Sequence, residues 1–355
     1  MVARLPIRDD LQKMEGYHSA QVTVPVRLNT NESPYPPPDE FTTELGRRIA
    51  DIAWNRYPDR TASALRAAIA RSHGVGVDQV FAGNGSNEIL QTLLLAYAGA
   101  GRKVLTFEPT YQLHAHIARI TGAEVVSAPR GADFRIDQSK LAEVFSTCSP
   151  DVTFVCSPNN PTGVVEDEET VRAIIETSPG LVIVDEAYAQ FASWSAIDLV
   201  DESRALVVTR TYSKTWSMAA ARLGYLVGPK WLVEEIDAVV LPYHLDAAKQ
   251  IAGALALEFT NDMNSRVREI VASRDQIESA FSTLPVDFWP SGANFILFRP
   301  RSMDGRKVWS ELVEKGVLIR DCSSWPGLTN CLRVTIGTPE ENDLFLKSLS
   351  EVLSK

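Results

Sequence analysis

The chain predicts an α/β fold: a large, mostly parallel sheet covered by helices, followed by a smaller α+β domain. Three observations carry that expectation. The 355 residues exceed what one typical compact core holds and suit two domains. From about residue 60, short apolar runs alternate with amphipathic stretches, the pattern of strands and covering helices. After about residue 230 the character changes to a long helical stretch followed by short strands. The expected division is an N-terminal segment, 1–28, packing near the smaller domain, a large domain, 29–240, and a small domain, 241–355.

In chain order, Pro34, Pro36, Pro37 and Pro38 make a stiff extended connector. Strands are expected at 79–82, 103–107, 124–128, 152–156, 181–184, 205–209 and 224–227, most of them β-branched or apolar runs bounded by Gly, Pro, Asp or Ser. Ile89, Leu90, Leu93, Leu94 and Tyr97 form one stripe at helical spacing after the first of these. Helix is expected across roughly 247–284, then strands at 293–298, 317–320 and 331–336 with a helix between the first two. In such an architecture ligands sit beyond the carboxyl ends of the parallel strands, so the residues there come next.

After 79–82 comes Gly83-Asn84-Gly85-Ser86-Asn87-Glu88. Glycines allow close backbone approach, and a helix opening at Ser86 and Asn87 attracts a phosphate, although the same residues also read as a plain turn. Glu88 stands where a dinucleotide fingerprint needs a third glycine, which excludes that reading. Tyr111, just past 103–107, offers an aromatic face at the sheet rim. Asn160 precedes Pro161, which disfavours the α region and turns its amide toward the sheet edge. Asp185 follows four apolar residues, so its carboxylate is poorly solvated and needs a cationic partner; Tyr188 lies three residues on. After 205–209 come Thr211, Tyr212, Ser213 and Lys214, with Arg222 eight residues later. A desolvated lysine near other cations has a lowered pKa and forms imines, while Thr211, Ser213 and Arg222 supply donors for a phosphate.

Composition narrows the rest. A net charge of −10 without clustered Lys and Arg argues against nucleic acid as a partner. No basic, apolar leader pattern and no apolar run of membrane-spanning length is present, and four scattered cysteines read as reduced thiols, so a cytoplasmic protein is expected. His114 and His116 lie two apart with no partners at zinc spacing, so no metal site is expected and both read as packing or surface residues.

Taken together, Gly83–Glu88, the Asn-Asn-Pro-Thr-Gly run at 159–163, Asp-Glu-Ala-Tyr at 185–188, and Ser213-Lys214 with Arg222 resemble the fold-type I pyridoxal-phosphate aminotransferases, class I/II branch. Within that branch the chain is most similar to the histidinol-phosphate aminotransferases, through 27–35, 56–59, 318–321 and 331–337. The resemblance implies that Lys214 carries pyridoxal 5′-phosphate as a Schiff base. It implies that Asp185 holds the ring nitrogen, that Tyr188 and Asn160 bond the ring oxygen, and that Tyr111 stacks on the ring. Gly85, Ser86, Asn87, Thr211, Ser213 and Arg222 would hold the phosphate, joined by Tyr57 from the second subunit of a homodimer with shared sites. Arg333 would clamp the substrate carboxylate, and Tyr17, Asn31 and Arg320 would contact substrate.

The implied activity is ping-pong transfer between a small amino donor, histidinol phosphate, and a 2-oxo acid, 2-oxoglutarate. Amino transfer from aromatic or other amino acids, and decarboxylation of a phosphoamino acid, are the alternatives on the same motifs. Tyr212 and Trp216 are bulkier than the family pattern and either alter the pocket or repack the core. Tyr243 is expected to add an aromatic wall.

Overall fold

Strands that are apolar along their whole length need cover on both faces, and the large sheet meets that need. The computed structural model describes residues 5–12, 14, 16 and 20–355; Tyr17 lies outside the described residues. The chain forms β1 (Val26–Leu28), then α1 (Asp39–Ala50) and α2 (Ser63–His73). The alternating region follows as β2 (Val80–Gly83), α3 (Gly85–Tyr97), β3 (Lys103–Glu108), α4 (Leu113–Ile120), β4 (Glu124–Pro129), α5 (Leu141–Cys148), β5 (Val152–Cys156), α6 (Glu168–Thr177), β6 (Leu181–Asp185), β7 (Leu206–Thr211) and β8 (Gly224–Val227). These strands make one sheet in the order β2-β8-β7-β6-β5-β3-β4, in which only β8 opposes its neighbours. Every residue of β5, β6 and β7 is buried, as expected of central strands covered on both faces.

The remaining elements are α7 (Lys230–Val239), α8 (Ala247–Ala256), α9 (Thr260–Phe281), β9 (Val286–Trp289), β10 (Phe295–Pro300), α10 (Gly305–Glu314), β11 (Val317–Asp321), β12 (Leu332–Thr335) and α11 (Pro339–Leu353). The second sheet has the order β1-β11-β12-β10-β9, with β1 parallel to β11 and the other pairs antiparallel. The N-terminal strand therefore completes a sheet built from the far end of the chain. Four helix starts are capped by side chains: Asp167, Asp246 and Asp304 accept backbone N–H bonds in α6, α8 and α10, and Thr338 with Glu341 forms a capping box after which Pro339 opens α11.

Two expectations change. The helical stretch at 247–284 is not one helix: a 3₁₀ turn at Leu257–Phe259 separates α8 from α9. In addition, Leu245, Ala252, Leu255, Ala256 and Met263 bury themselves in the core of the large sheet, with α8 packed on α1 and α2. That core thus continues past residue 240, because the small residues of α8 let it sit close to α2. Gly253 abuts Leu65 and Leu223 so closely that an added Cβ would overlap both. Strand β9 was not anticipated from sequence; Asp287 interrupts its apolar pattern and pairs with Arg299 and Arg301.

Candidate active site

Six strands of the large sheet point their carboxyl ends the same way, and the chemistry-bearing residues follow those ends. They line a cavity of about 420 Å³ that includes Ser86, Asn87, Tyr111, Asn160, Asp185, Tyr188, Thr211, Ser213, Lys214 and Arg222 from the large sheet's loops. Arg320 and Arg333 from β11 and β12, and Asn29–Glu32 from the loop after β1, close it from the other side. The site therefore lies between the two sheets.

Lys214 stands at the centre. Its Nζ donates to the Thr30 carbonyl at 3.1 Å and lies 5.7 Å from the centre of the Tyr188 ring. Burial lowers its amine to about 7, with Arg333 and Arg222 adding to the effect and Glu32 opposing it. A neutral, nucleophilic amine is thus available near neutral pH.

Asp185, 2% exposed, is held from behind by His114, whose Nε2 lies 2.8 Å from Oδ2, while Oδ1 accepts the Ala187 N–H. His114 is fully buried, stacked on Phe154 at 4.3 Å and met edge-on by Tyr111 at 5.4 Å. The expectation that His114 is an ordinary packing residue is corrected: it supports the site's central carboxylate. The two lie 71 residues apart, and only the β3–β5–β6 order brings them together.

Tyr188 is buried, and burial pushes its hydroxyl well above the ordinary tyrosine range, Arg333 and Asn31 opposing. Its oxygen accepts from Asn31 Nδ2 at 2.9 Å. Asn31 itself adopts φ +55°, which asparagine tolerates, and is fixed by Thr335 through its N–H and its Oδ1, each at 3.0 Å. Asn160 Oδ1 accepts from Arg333 Nη1, and Arg333 Nη2 donates to the Asn29 carbonyl at 2.9 Å. Arg333 Nε is buried with no partner, and no carboxylate pairs with Arg333 among the described residues. A buried guanidinium with a free donor is built for an incoming anion. Arg320 sits directly opposite Arg333 in the β11–β12 ladder, with its guanidinium 6.0 Å from the centre of the Trp325 ring.

An anion cradle occupies the other end. Gly85 takes φ +77°, and an added Cβ would press on the Arg222 guanidinium at 3.1 Å. A Cβ on Gly224 would come within 2.5 Å of the Ser86 nitrogen. These two glycines let the start of α3 approach β8 closely, so that Ser86 and Asn87 open into the cavity. Arg222 donates to Ser213 Oγ and the Ala219 carbonyl, each at 3.3 Å, Thr211 donates to Ser213 at 3.0 Å, and no carboxylate neutralises Arg222 among the described residues. Glu88, in place of a third glycine, accepts the Asn84 N–H at 2.5 Å and contacts His244 Nδ1 at 2.9 Å, fixing the loop. An anion cradle, a buried carboxylate and a reactive amine in one cavity fit pyridoxal phosphate, the cofactor that the sequence resemblance implies.

Some expected residues lie elsewhere. Tyr57 is 81% exposed and stacks on Tyr243 at 4.5 Å; neither lines this chain's cavity. Tyr243 therefore gives no aromatic wall to its own chain's cavity; its ring lies stacked on Tyr57. Tyr212 and Trp216 are also off the cavity. Tyr212 is fully buried against Trp216 and Tyr225, and Trp216 packs by Pro37, Pro38 and Phe41, so both repack the core. Asn29, Thr30 and Glu32 were missed as lining residues; their place depends on β1 pairing with β11. Among the described residues there is no cluster able to hold a metal ion and no helix long and apolar enough to cross a membrane.

A family model for aminotransferase class I and II matches residues 23–349. Among curated proteins, the chain is 42% identical to a histidinol-phosphate aminotransferase of Corynebacterium diphtheriae, over 98% of this chain and 96% of that one. It is 44% identical to a histidinol-phosphate aminotransferase of Thermobifida fusca, over 97% and 95%. Among solved structures, histidinol-phosphate aminotransferase from Sinorhizobium meliloti in complex with pyridoxal-5′-phosphate shares the fold, with a TM-score of 0.86 at 23% identity, covering 93% of this chain and 91% of that one.

Proposed function

The chain belongs to the class I and II aminotransferases, and we propose that it moves the amino group of histidinol phosphate to 2-oxoglutarate, using pyridoxal phosphate held by Lys214. The observation that carries this reading is the single cavity in which Lys214 and Asp185 stand between an anion cradle at Arg222 and the opposed cations Arg320 and Arg333. The full-length similarity to histidinol-phosphate aminotransferases supports the choice of donor.

Bound there, pyridoxal phosphate supplies an electron-accepting ring that stabilises charge developing on the substrate's amino carbon. Ser86, Asn87, Thr211, Ser213 and Arg222 grip its phosphate and so set its position. Asp185, poorly solvated and oriented by His114, keeps a proton on the ring nitrogen. Tyr188 and Asn160, which also line the cavity, would hydrogen-bond the ring oxygen. Lys214 would hold the cofactor through its amine and, with that amine free, would move a proton at the substrate carbon. Arg333 presents a bidentate fork to the carboxylate of 2-oxoglutarate, and Arg320 meets the distal phosphate or carboxylate. The same groups serve both half-reactions, so the first product leaves before the acceptor enters and the kinetics are ping-pong.

The reading extends to a cytosolic homodimer with shared sites. Four buried, unpaired cysteines support a reducing setting. The outward Tyr57, with exposed Trp54 and Leu241 near it in sequence or through Tyr243, supports a second copy covering this face, where Tyr57 completes the partner's phosphate cradle. A division near 28 and 240 is part of the same proposal, with the cofactor residues before 240 and the substrate cations after it, although the large sheet's core draws on residues as far as Met263.

The test mixes the yellow holoenzyme separately with L-histidinol phosphate, L-glutamate and L-phenylalanine while following the visible absorbance of the bound cofactor. Rapid bleaching by the first two and little by phenylalanine is expected. Bleaching by phenylalanine with none by histidinol phosphate overturns the donor and leaves the cofactor chemistry in place.

A further inference from the structure

Behind the cofactor face of the large sheet runs a second, buried polar row that touches none of the cavity. Successive residues of a strand face opposite ways. Asp185 is the ladder partner of Thr209, and Thr211, two further along β7, shares that face and lines the cavity. Glu186 and Arg210, each one residue out of phase, point to the far side. There Arg210 donates to Glu186 Oε2 from Nε at 3.0 Å and from Nη2 at 2.7 Å. Both residues are nearly inaccessible, at 3% and 8% exposed.

The pair is fully supplied with partners. Ser195 Oγ donates to Glu186 Oε2 at 2.8 Å and accepts from Arg210 Nη2 at 2.7 Å, and the Ala196 N–H donates to Glu186 Oε1 at 2.6 Å. Across the next ladder, Tyr225 of β8 is the register partner of Arg210, and the interaction between the two raises the guanidinium's pKa. Tyr225 in turn meets His73 Nε2 at 2.8 Å. The row Glu186–Arg210–Tyr225 therefore straps β6, β7 and β8 together where each delivers a piece of the site. Asp185 immediately precedes Glu186, Thr211 immediately follows Arg210, and Gly224, which abuts the Ser86 nitrogen, immediately precedes Tyr225.

We infer that Glu186, Arg210 and Tyr225 are positioning residues for the cofactor, fixing the ring-nitrogen carboxylate, the lysine loop and the phosphate cradle relative to one another from the far side of the sheet. A buried ion pair is weak support for stability, since its desolvation offsets its attraction; geometric precision at a site is the better-founded reason to keep one. The inference rests on the cofactor reading given above.

Three variants test it: Tyr225→Phe, Glu186→Gln, and the double variant Glu186→Met with Arg210→Met, which removes both charges while keeping volume. Measured quantities are the affinity for pyridoxal phosphate by titration, the pH dependence of the holoenzyme's visible band, kcat and KM separately, and the unfolding midpoint of the cofactor-free protein. Glu186→Gln is expected to weaken cofactor binding about tenfold or more, the equivalent of one charge-assisted hydrogen bond. It should shift the midpoint of the visible band's titration and lower kcat more than it raises KM. Tyr225→Phe, the mildest change, should move each quantity the same way by less. In the double variant, recovered stability with cofactor affinity and band still altered supports positioning. Recovery of all three, or single variants that lose stability with affinity and band unchanged, reduces the row to a structural brace and overturns the inference. A wild-type protein that binds no pyridoxal phosphate and shows no visible band refutes the cofactor reading itself.

Discussion

Lys214 makes one hydrogen bond, to a carbonyl, and sits among guanidinium groups, so its chemistry is set by what surrounds it. Lys214→Ala is expected to abolish the visible absorbance and cut turnover by about 10²–10⁴-fold or more, the range for a lost general acid–base group; normal turnover in that variant would remove the lysine from the mechanism. The lowered amine also has a thermodynamic consequence. An unfolded lysine binds its proton near about 10.4, whereas in the folded, cofactor-free protein Lys214 does so only near about 7. Between those values the unfolded chain holds the extra proton, so stability rises with pH across that window, by at most about 1.4 kcal/mol per pH unit. Denaturant unfolding of the cofactor-free protein from neutral to alkaline pH should show this slope, and Lys214→Met should flatten it. Equal slopes would mean that the amine is not desolvated. At the cavity's other end, Arg320→Ala should raise KM for histidinol phosphate about tenfold, the worth of one charge-assisted bond, and much less for its unphosphorylated analogue. An equal effect on both would make Arg320 a structural residue.

Elements meet at the site through small residues. Helix α3 reaches β8 because Gly224 leaves room for the Ser86 nitrogen, with the Gly85 carbonyl carbon and the Arg210 oxygen also within 3 Å of any added Cβ. Gly224→Ala forces backbone against backbone, and overpacking of this kind costs about 1–3 kcal/mol. Both the unfolding free energy of the cofactor-free protein and its affinity for pyridoxal phosphate should fall; an unchanged affinity would show that the cradle does not depend on this contact. The strands themselves were legible in the sequence, because buried strands read as continuous apolar runs, and 152–156 and 224–227 match their elements residue for residue. Less legible were β9, whose Asp287 breaks the apolar run, and the break between α8 and α9, where helical spacing continues through a 3₁₀ turn.

At the scale of the whole molecule, the cavity has two walls, and the chain crosses between them at its start: β1 is hydrogen-bonded into the far sheet while the loop after it, Asn29–Glu32, lines the cavity. Within one chain, however, Tyr57, Trp54 and Leu241 are left 81%, 71% and 77% exposed. The homodimer proposed above would cover these side chains. Sedimentation velocity should show a dimer that Trp54→Asp with Leu241→Asp weakens. Tyr57→Phe should lower cofactor affinity although Tyr57 lies outside its own chain's cavity; unchanged affinity would exclude a shared site.

Sequence by itself placed Ser86, Asn160, Asp185, Thr211, Ser213 and Lys214 at the strand ends, because each follows an apolar run by no more than five residues. Local order is enough where a side chain is positioned by its own strand. Tertiary structure alone decided everything that depends on strand order or on contact between the two sheets. That includes His114 behind Asp185, Asn31 against Tyr188, Arg320 opposite Arg333, and the retreat of Tyr212, Trp216 and Tyr243 from the cavity. His114 and Asp185 lie 71 residues apart and Asn31 and Tyr188 lie 157 apart, and no local spacing encodes a contact that exists only once distant strands have found their register.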